Sequence, residues 1–295
     1  MYSVSYLSGN YQIFSITTFI YLLGSFCFVL YLTKYNRSPI LDFWSYISYG
    51  EYESEPIQTQ TRKVLVWVGS IIIFYIFATN LTEFLRGNMR AAINILNGDE
   101  ISVQGYFEIA RYSLWSLTIL ICFIGYLYSI ASIFWGKYVR NLDLTPAGWL
   151  TNGFCYPLFG VIIWQMVPSL QGNIQIINGD VWRNFMLSLE LLLNLLYTLS
   201  IINLGLMFGV MSDKGLKTTG FFGVARHPNY TLESMMFVVI YSSTLSGIGQ
   251  WLAVSMYFFI YWLRSEREDN FMNYSNPGYA EYKKQTPYKF IPGLY

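Results

Sequence analysis

The sequence predicts an all-α, polytopic membrane protein of about seven transmembrane helices, ending in a C-terminal helical hairpin with a cytoplasmic cofactor pocket. Three observations predict it. The 295 residues are 54% hydrophobic and 19% aromatic but only 12% charged, against roughly 25% charged in a soluble domain. Apolar runs close to the ~20 residues needed to cross a hydrocarbon core recur along the chain. Arg226, His227, Asn229, Tyr230 and Glu233 crowd into eight positions at the mouth of one such run, where charge is costly.

Taken in order, the runs fall near 13–33, 64–82, 113–135, 147–168 and 184–210, then 231–245 and 251–264, joined by Ser246-Gly-Ile-Gly-Gln250. The last two arms span only about 22 Å at 1.5 Å per residue, so their ends are wet. The first four runs make an N-terminal membrane region, 1–183, and the rest a C-terminal cofactor-binding region, 184–295. No Lys or Arg precedes the first run, so it lacks the charged start of a secretory signal and is expected to stay in the protein. Residues 38–56 mix aromatics with acids and are expected along the membrane interface, and 88–97 as a short amphipathic helix.

Charge sets the orientation. With the N-terminus outside, only Arg86, Arg90, Arg111 and Arg183 fall on the outer side, and the other 14 of the 18 Lys and Arg fall on the inner side. That asymmetry places the Arg226 stretch and the C-terminal tail in the cytoplasm. Lys plus Arg total 18 and Asp plus Glu 17, which gives no reason to expect nucleic acid. Cys27, Cys122 and Cys155 lie in apolar runs without metal-ligand spacing, so neither a disulfide framework nor a bound metal is expected.

Polar residues within the spans mark candidate chemistry. Glu190, Asn194 and Tyr197 follow i, i+4, i+7 spacing and share a helical face that must point at protein or a cavity. Two readings stand: a cavity wall with Glu190 or Tyr197 as catalytic proton donor, or an interhelical cluster that fixes packing. Asn80 and Glu83 are similar but nearer water. The Gly-rich loop 211–220 carries Lys214 and Lys217, suited to an anionic cofactor or to orientation alone. Beyond the last span, Arg264 and Glu268 are spaced to pair at i+4 if the helix continues. The tail 277–295, with Tyr279 and Tyr282, is too aromatic to stay disordered and is expected to dock on the loop around Arg226. Basic and aromatic groups would then form one pocket suited to a nucleotide-bearing cofactor.

Gly220-Phe-Phe-Gly-Val-Ala-Arg226-His-Pro-Asn-Tyr230 with Glu233 resembles the C-terminal signature of the membrane reductases that include sterol C14/C7 reductases and steroid 5-alpha-reductase-like proteins. The tail, Arg264-Ser-Glu-Arg267-Glu-Asp269 with Tyr279, Tyr282 and Pro287 to Tyr295, is similar to the end of the same reductases. The resemblance covers residues 203–295, and the Gly usual two positions after the Tyr is Leu232 here. It implies that Arg226, Asn229, Tyr230, Arg267 and Asp269 hold NADPH, with the double bond of an isoprenoid or steroid-like lipid as substrate. Isoprenylcysteine carboxyl and phospholipid methyltransferases share the Arg-His-Pro block, and that similarity implies S-adenosylmethionine instead, with His227 and Glu268 at the cofactor. A third reading is a non-catalytic subunit of a membrane assembly. The full candidate set is Glu190 and Tyr197 for catalysis, and Lys217, Arg226, His227, Asn229, Tyr230, Glu233, Arg264, Arg267, Glu268, Asp269, Tyr279 and Tyr282 for the cofactor.

Overall fold

The computed structural model describes residues 82, 85–94, 96–97, 101–135, 141–143, 148, 150–151, 179–209, 212–241 and 248–294. All lie in the compact unit Ile73–Tyr295. The spans expected at 13–33, 64–82 and 147–168 fall outside the described residues apart from isolated positions, as do the segment 38–56, Asn80, Glu83, Cys27 and Cys155.

The described residues are mostly helical. The elements are α1 (Val103–Trp135), β1 (Asn141–Leu142), α2 (Asp180–Leu204), a 3-10 turn (Gly205–Met207), β2 (Ser212–Asp213), α3 (Phe221–Val224), α4 (Pro228–Tyr241), α5 (Ile248–Ser275) and α6 (Tyr279–Gln285). Residues 85–94, inside which the amphipathic segment begins, are helical. The all-α expectation is modified in one place: β1 and β2 pair antiparallel, Asn141 against Asp213 and Leu142 against Ser212.

Val103–Tyr128 and Asp180–Met207 are long and apolar enough to cross a membrane. Leu117, Leu120, Ile124 and Leu127 on α1, and Leu192, Leu195, Leu199 and Ile202 on α2, are each about two-fifths exposed or more. Both sets recur at helical spacing, so each helix turns an apolar stripe outward, as a lipid-facing surface does. The opposite faces form the core. Leu187 and Leu193 of α2 pack on Met236 and Val239 of α4, and Cys122 of α1 packs on Tyr197 and Ile201 of α2. Leu232 packs against both clusters.

Helix ends follow local chemistry. The span expected through 210 stops at Leu204, because Gly205 takes φ 56° and its N–H closes on Ile201 O. Pro228 opens α4, where a missing N–H costs nothing. The 28 residues of α5 reach about 42 Å, well beyond a single short arm, and its last turns carry Arg264 to Asp269.

Candidate functional site

The site is built where α3, the start of α4, the end of α5 and the tail meet. Ala225 is extended, φ −143°, and turns the chain out of α3 so that Arg226 and His227 run beside the tail. Their backbone N–H groups donate to Tyr288 O at 3.0 Å and Lys289 O at 2.9 Å. The Arg226 guanidinium donates to Thr286 O at 2.8 Å and Pro287 O at 2.6 Å, and Thr231 Oγ1 donates to Phe290 O at 3.1 Å. The aromatic tail therefore docks on the Arg226 loop through main-chain bonds.

Asp269 is the buried centre of the charges. Its carboxylate accepts from His227 Nε2 at 2.8 Å and from the Tyr279 phenol, with Lys289 Nζ at 3.3 Å and Arg226 Nη2 at 3.4 Å. Burial alone would raise its pKa, but the His227 hydrogen bond and charge, then Tyr279 and Lys289, hold it well below the usual carboxylate range. Burial, followed by the Asp269 charge, pushes the Tyr279 phenol well above its ordinary value. Burial likewise raises Tyr282, whose hydroxyl donates to Phe222 O at 2.6 Å.

Glu268, one position earlier, lies 3.6 Å from His227 Nδ1 through its Oε2. It accepts from Tyr230 OH at 2.6 Å and Arg264 Nε at 2.9 Å, the pair expected from i+4 spacing. Tyr230 is sandwiched: His227 stacks on its ring at 5.3 Å, and the Arg264 guanidinium sits 5.1 Å over it.

These residues enclose a cleft open to solvent, with a cavity volume of about 160 Å³. Lys217, Arg226, His227, Asn229, Tyr230, Arg264, Glu268, Tyr279 and Tyr282 line it, together with Ser212 and Lys214. Lys217 and Asn229 have no hydrogen bond or ion pair among the described residues. The buried atoms Arg226 Nε and Ser212 Oγ have no hydrogen-bond partner either. Lys214 Nζ donates to Gly125 O at 2.9 Å and to Phe208 O, and burial lowers its pKa to about 7.

A second, nearly all-apolar groove lies between α2, α4, α5 and the tail, lined by Leu189, Leu193, Val239, Phe258, Phe290 and their neighbours. Tyr230 belongs to the walls of both spaces. Tyr261 lines the groove, edge-on to Tyr230 at 5.0 Å.

The remaining candidates lie outside the cleft. Arg267 is held bidentate by Asp143, at 2.5 and 2.7 Å, which ties β1 to α5 and, through that hydrogen bond, raises the guanidinium pKa. Glu190 is buried and faces Arg111 at 3.6 Å. Tyr197 is separate from that pair: it and Tyr261 both hydrogen-bond the Glu233 carboxyl, which also feels Arg264. Structure thus joins Tyr197 to Glu233, not to Glu190. Asp143, Tyr261 and the role of Lys289 went unmarked in the sequence, since their partners are distant along the chain. Among the described residues no group of His, Cys, Asp and Glu could hold a metal.

Residues 211–286 match a family described as a protein of unknown function (DUF1295), which is associated with steroid 5-alpha-reductase-like membrane proteins. No curated protein and no solved structure matches the chain. The matched stretch takes in every cleft side chain from Ser212 onward and stops before the last residues of the docked tail.

Proposed function

We propose that the chain is an integral-membrane reductase that binds NADPH in the polar cleft and reduces a double bond of an isoprenoid or steroid-like lipid lying in the apolar groove. One observation carries this over methyl transfer. Glu233 and the phenols of Tyr197 and Tyr261 form an acid–phenol cluster beside the groove. Double-bond reduction consumes a proton, and such a cluster is a proton source; methyl transfer to a nucleophile needs none.

The cleft residues fit a phosphate-bearing dinucleotide. Among the described residues, the side chains of Lys217 and Asn229 are polar heads without partners, and Arg226 Nε and Ser212 Oγ are buried donors without partners. Arg264 adds charge, shared with Glu268. Tyr279 and Tyr282 supply aromatic surface for a base or nicotinamide ring. When bound, the dinucleotide supplies a hydride; the chain orients it at Tyr230, the wall common to both spaces. The seven-span topology follows from the apolar runs and the cytoplasmic position of the cleft from the distribution of Lys and Arg, and both belong to this proposal.

A second reading, an S-adenosylmethionine-dependent lipid methyltransferase, has its own support. Glu268 lines the cleft, and Arg226, Arg264, Arg267 and Lys289 already face carboxylates, so a cofactor carrying its own cation is accommodated. Product analysis separates the two. Purified protein is incubated with a lipid extract of its host membrane and either cofactor, and lipids are compared by mass. A gain of two hydrogens with NADPH supports the reductase; a gain of one methylene with the methyl donor overturns it.

A further inference from the structure

The apolar groove has a cavity volume of about 470 Å³, within the ~300–1,000 Å³ of small-molecule sites. Among the described residues, hydroxyls reach its wall from Tyr230, Thr231, Ser234 and Tyr261. Three of the four are already bonded. Tyr230 OH donates to Glu268 at 2.6 Å, Thr231 Oγ1 donates to Phe290 O at 3.1 Å, and Tyr261 OH accepts from Tyr257 OH at 2.7 Å. Ser234, partly buried on α4, has no hydrogen bond among the described residues. Other helical serines behave differently. Ser188, Ser200 and Ser265 each donate at 2.7 Å to a carbonyl three or four positions earlier, the usual way a helix satisfies a hydroxyl in apolar surroundings. Ser234 makes no such bond to its own helix. A hydroxyl left unbonded in an apolar wall costs free energy that a ligand oxygen recovers on binding.

We propose that Ser234 is the specificity-determining residue of the groove: its hydroxyl holds an oxygen of the bound lipid, so the substrate carries a hydroxyl or carbonyl and a plain hydrocarbon of the same shape is disfavoured. The proposal rests on the reading that the groove holds the lipid to be reduced. A serine hydroxyl both donates and accepts, so it serves a ketone, an aldehyde or an alcohol alike. What it separates is oxygenated lipid from hydrocarbon. One methylene more or less changes the fit to an apolar wall only modestly, whereas a ligand without oxygen leaves the site's polar group unpaired. Ser234 follows Tyr230 by about one turn of α4, roughly 6 Å along its axis. The lipid's oxygen is therefore held one turn beyond the wall shared with the cleft, beside the aliphatic side chains of Leu189, Leu193 and Val238.

The probes are farnesol and β-farnesene, an isoprenoid alcohol and an isoprenoid hydrocarbon of equal carbon number. Each is titrated into detergent-purified protein without any dinucleotide, and affinity is read from the rise in melting temperature with ligand concentration. Wild-type protein is expected to bind the alcohol about tenfold more tightly than the hydrocarbon, the size of one hydrogen bond. Ser234→Ala is expected to bind both with the hydrocarbon's affinity, while its melting temperature without ligand stays that of the wild type. A purely structural serine would not move the ratio of the two affinities. Equal affinities in the wild type, a preference for the alcohol retained in Ser234→Ala, or binding of neither probe would each overturn the assignment. Failure of the wild-type protein to bind NADPH in a parallel titration would instead remove the reductase reading, and the ratio measured without dinucleotide would stand.

Discussion

His227 Nε2 lies 2.8 Å from Asp269 Oδ1, and that one carboxylate also faces Tyr279, Lys289 and Arg226. Asp269 is almost fully buried, 3% exposed, so its removal leaves four cationic or hydrogen-bonding partners without their shared carboxylate. Asp269→Ala is expected to destabilise the protein by about 3 kcal/mol or more, the usual cost of breaking a buried pair. Because the folded carboxyl titrates below the unfolded value of about 3.9, its contribution is fully present above about pH 4 and is lost as pH falls further. Thermal unfolding in detergent across that range checks both: wild type loses stability on acidification, and the variant shows a shallower loss.

Arg267 and Asp143 are 124 residues apart in sequence and form a bidentate pair. A double-mutant cycle on Arg267→Gln and Asp143→Asn is expected to give a coupling of about 1–2 kcal/mol. A Cβ at Gly148 would come within 2.5 Å of the Asp143 carboxyl, so Gly148→Ala is expected to weaken the same pair and to be less costly in the Arg267→Gln background. Strict additivity in both cycles would show that the clamp contributes nothing.

Lys214 gives a pH dependence of the same sign in a higher window. Burial lowers its pKa to about 7, while the unfolded value is about 10.4, so between these the unfolded chain binds more protons. Stability therefore rises with pH through that window. Lys214→Met is expected to flatten the rise, read as melting temperature at pH 7, 8.5 and 10. An unchanged slope would mean that the ammonium keeps its proton in the fold, on Gly125 and Phe208 carbonyls.

How far the sequence reaches is visible in these same residues. Apolar runs locate α1, α2, α4 and α5, because span length and burial both scale with hydrophobicity. Their ends are less legible: α2 stops at Leu204 because one glycine takes a positive φ, and α5 runs to Ser275 although its last turns are polar. Local pairs such as Arg264 with Glu268 follow from helical spacing. Long-range partners do not. Arg267 looks like a cofactor ligand until Asp143 is beside it, and Tyr197 shares a face with Glu190 yet bonds Glu233, because which helix packs on that face is a tertiary fact. The docked tail was legible from its aromatic content, but not the main-chain bonds that hold it.

A phosphate-bearing dinucleotide held in the cleft on side chains without partners among the described residues is tested most directly by the affinity of detergent-purified protein for NADPH. Lys217→Ala and Asn229→Ala remove groups that line the cleft without partners among the described residues, so melting temperatures are expected to stay unchanged. Each variant is expected to weaken saturable NADPH binding about tenfold, equivalent to ~1.4 kcal/mol. Wild-type protein that shows no saturable NADPH binding, or variants that bind it as tightly as wild type, would contradict the account.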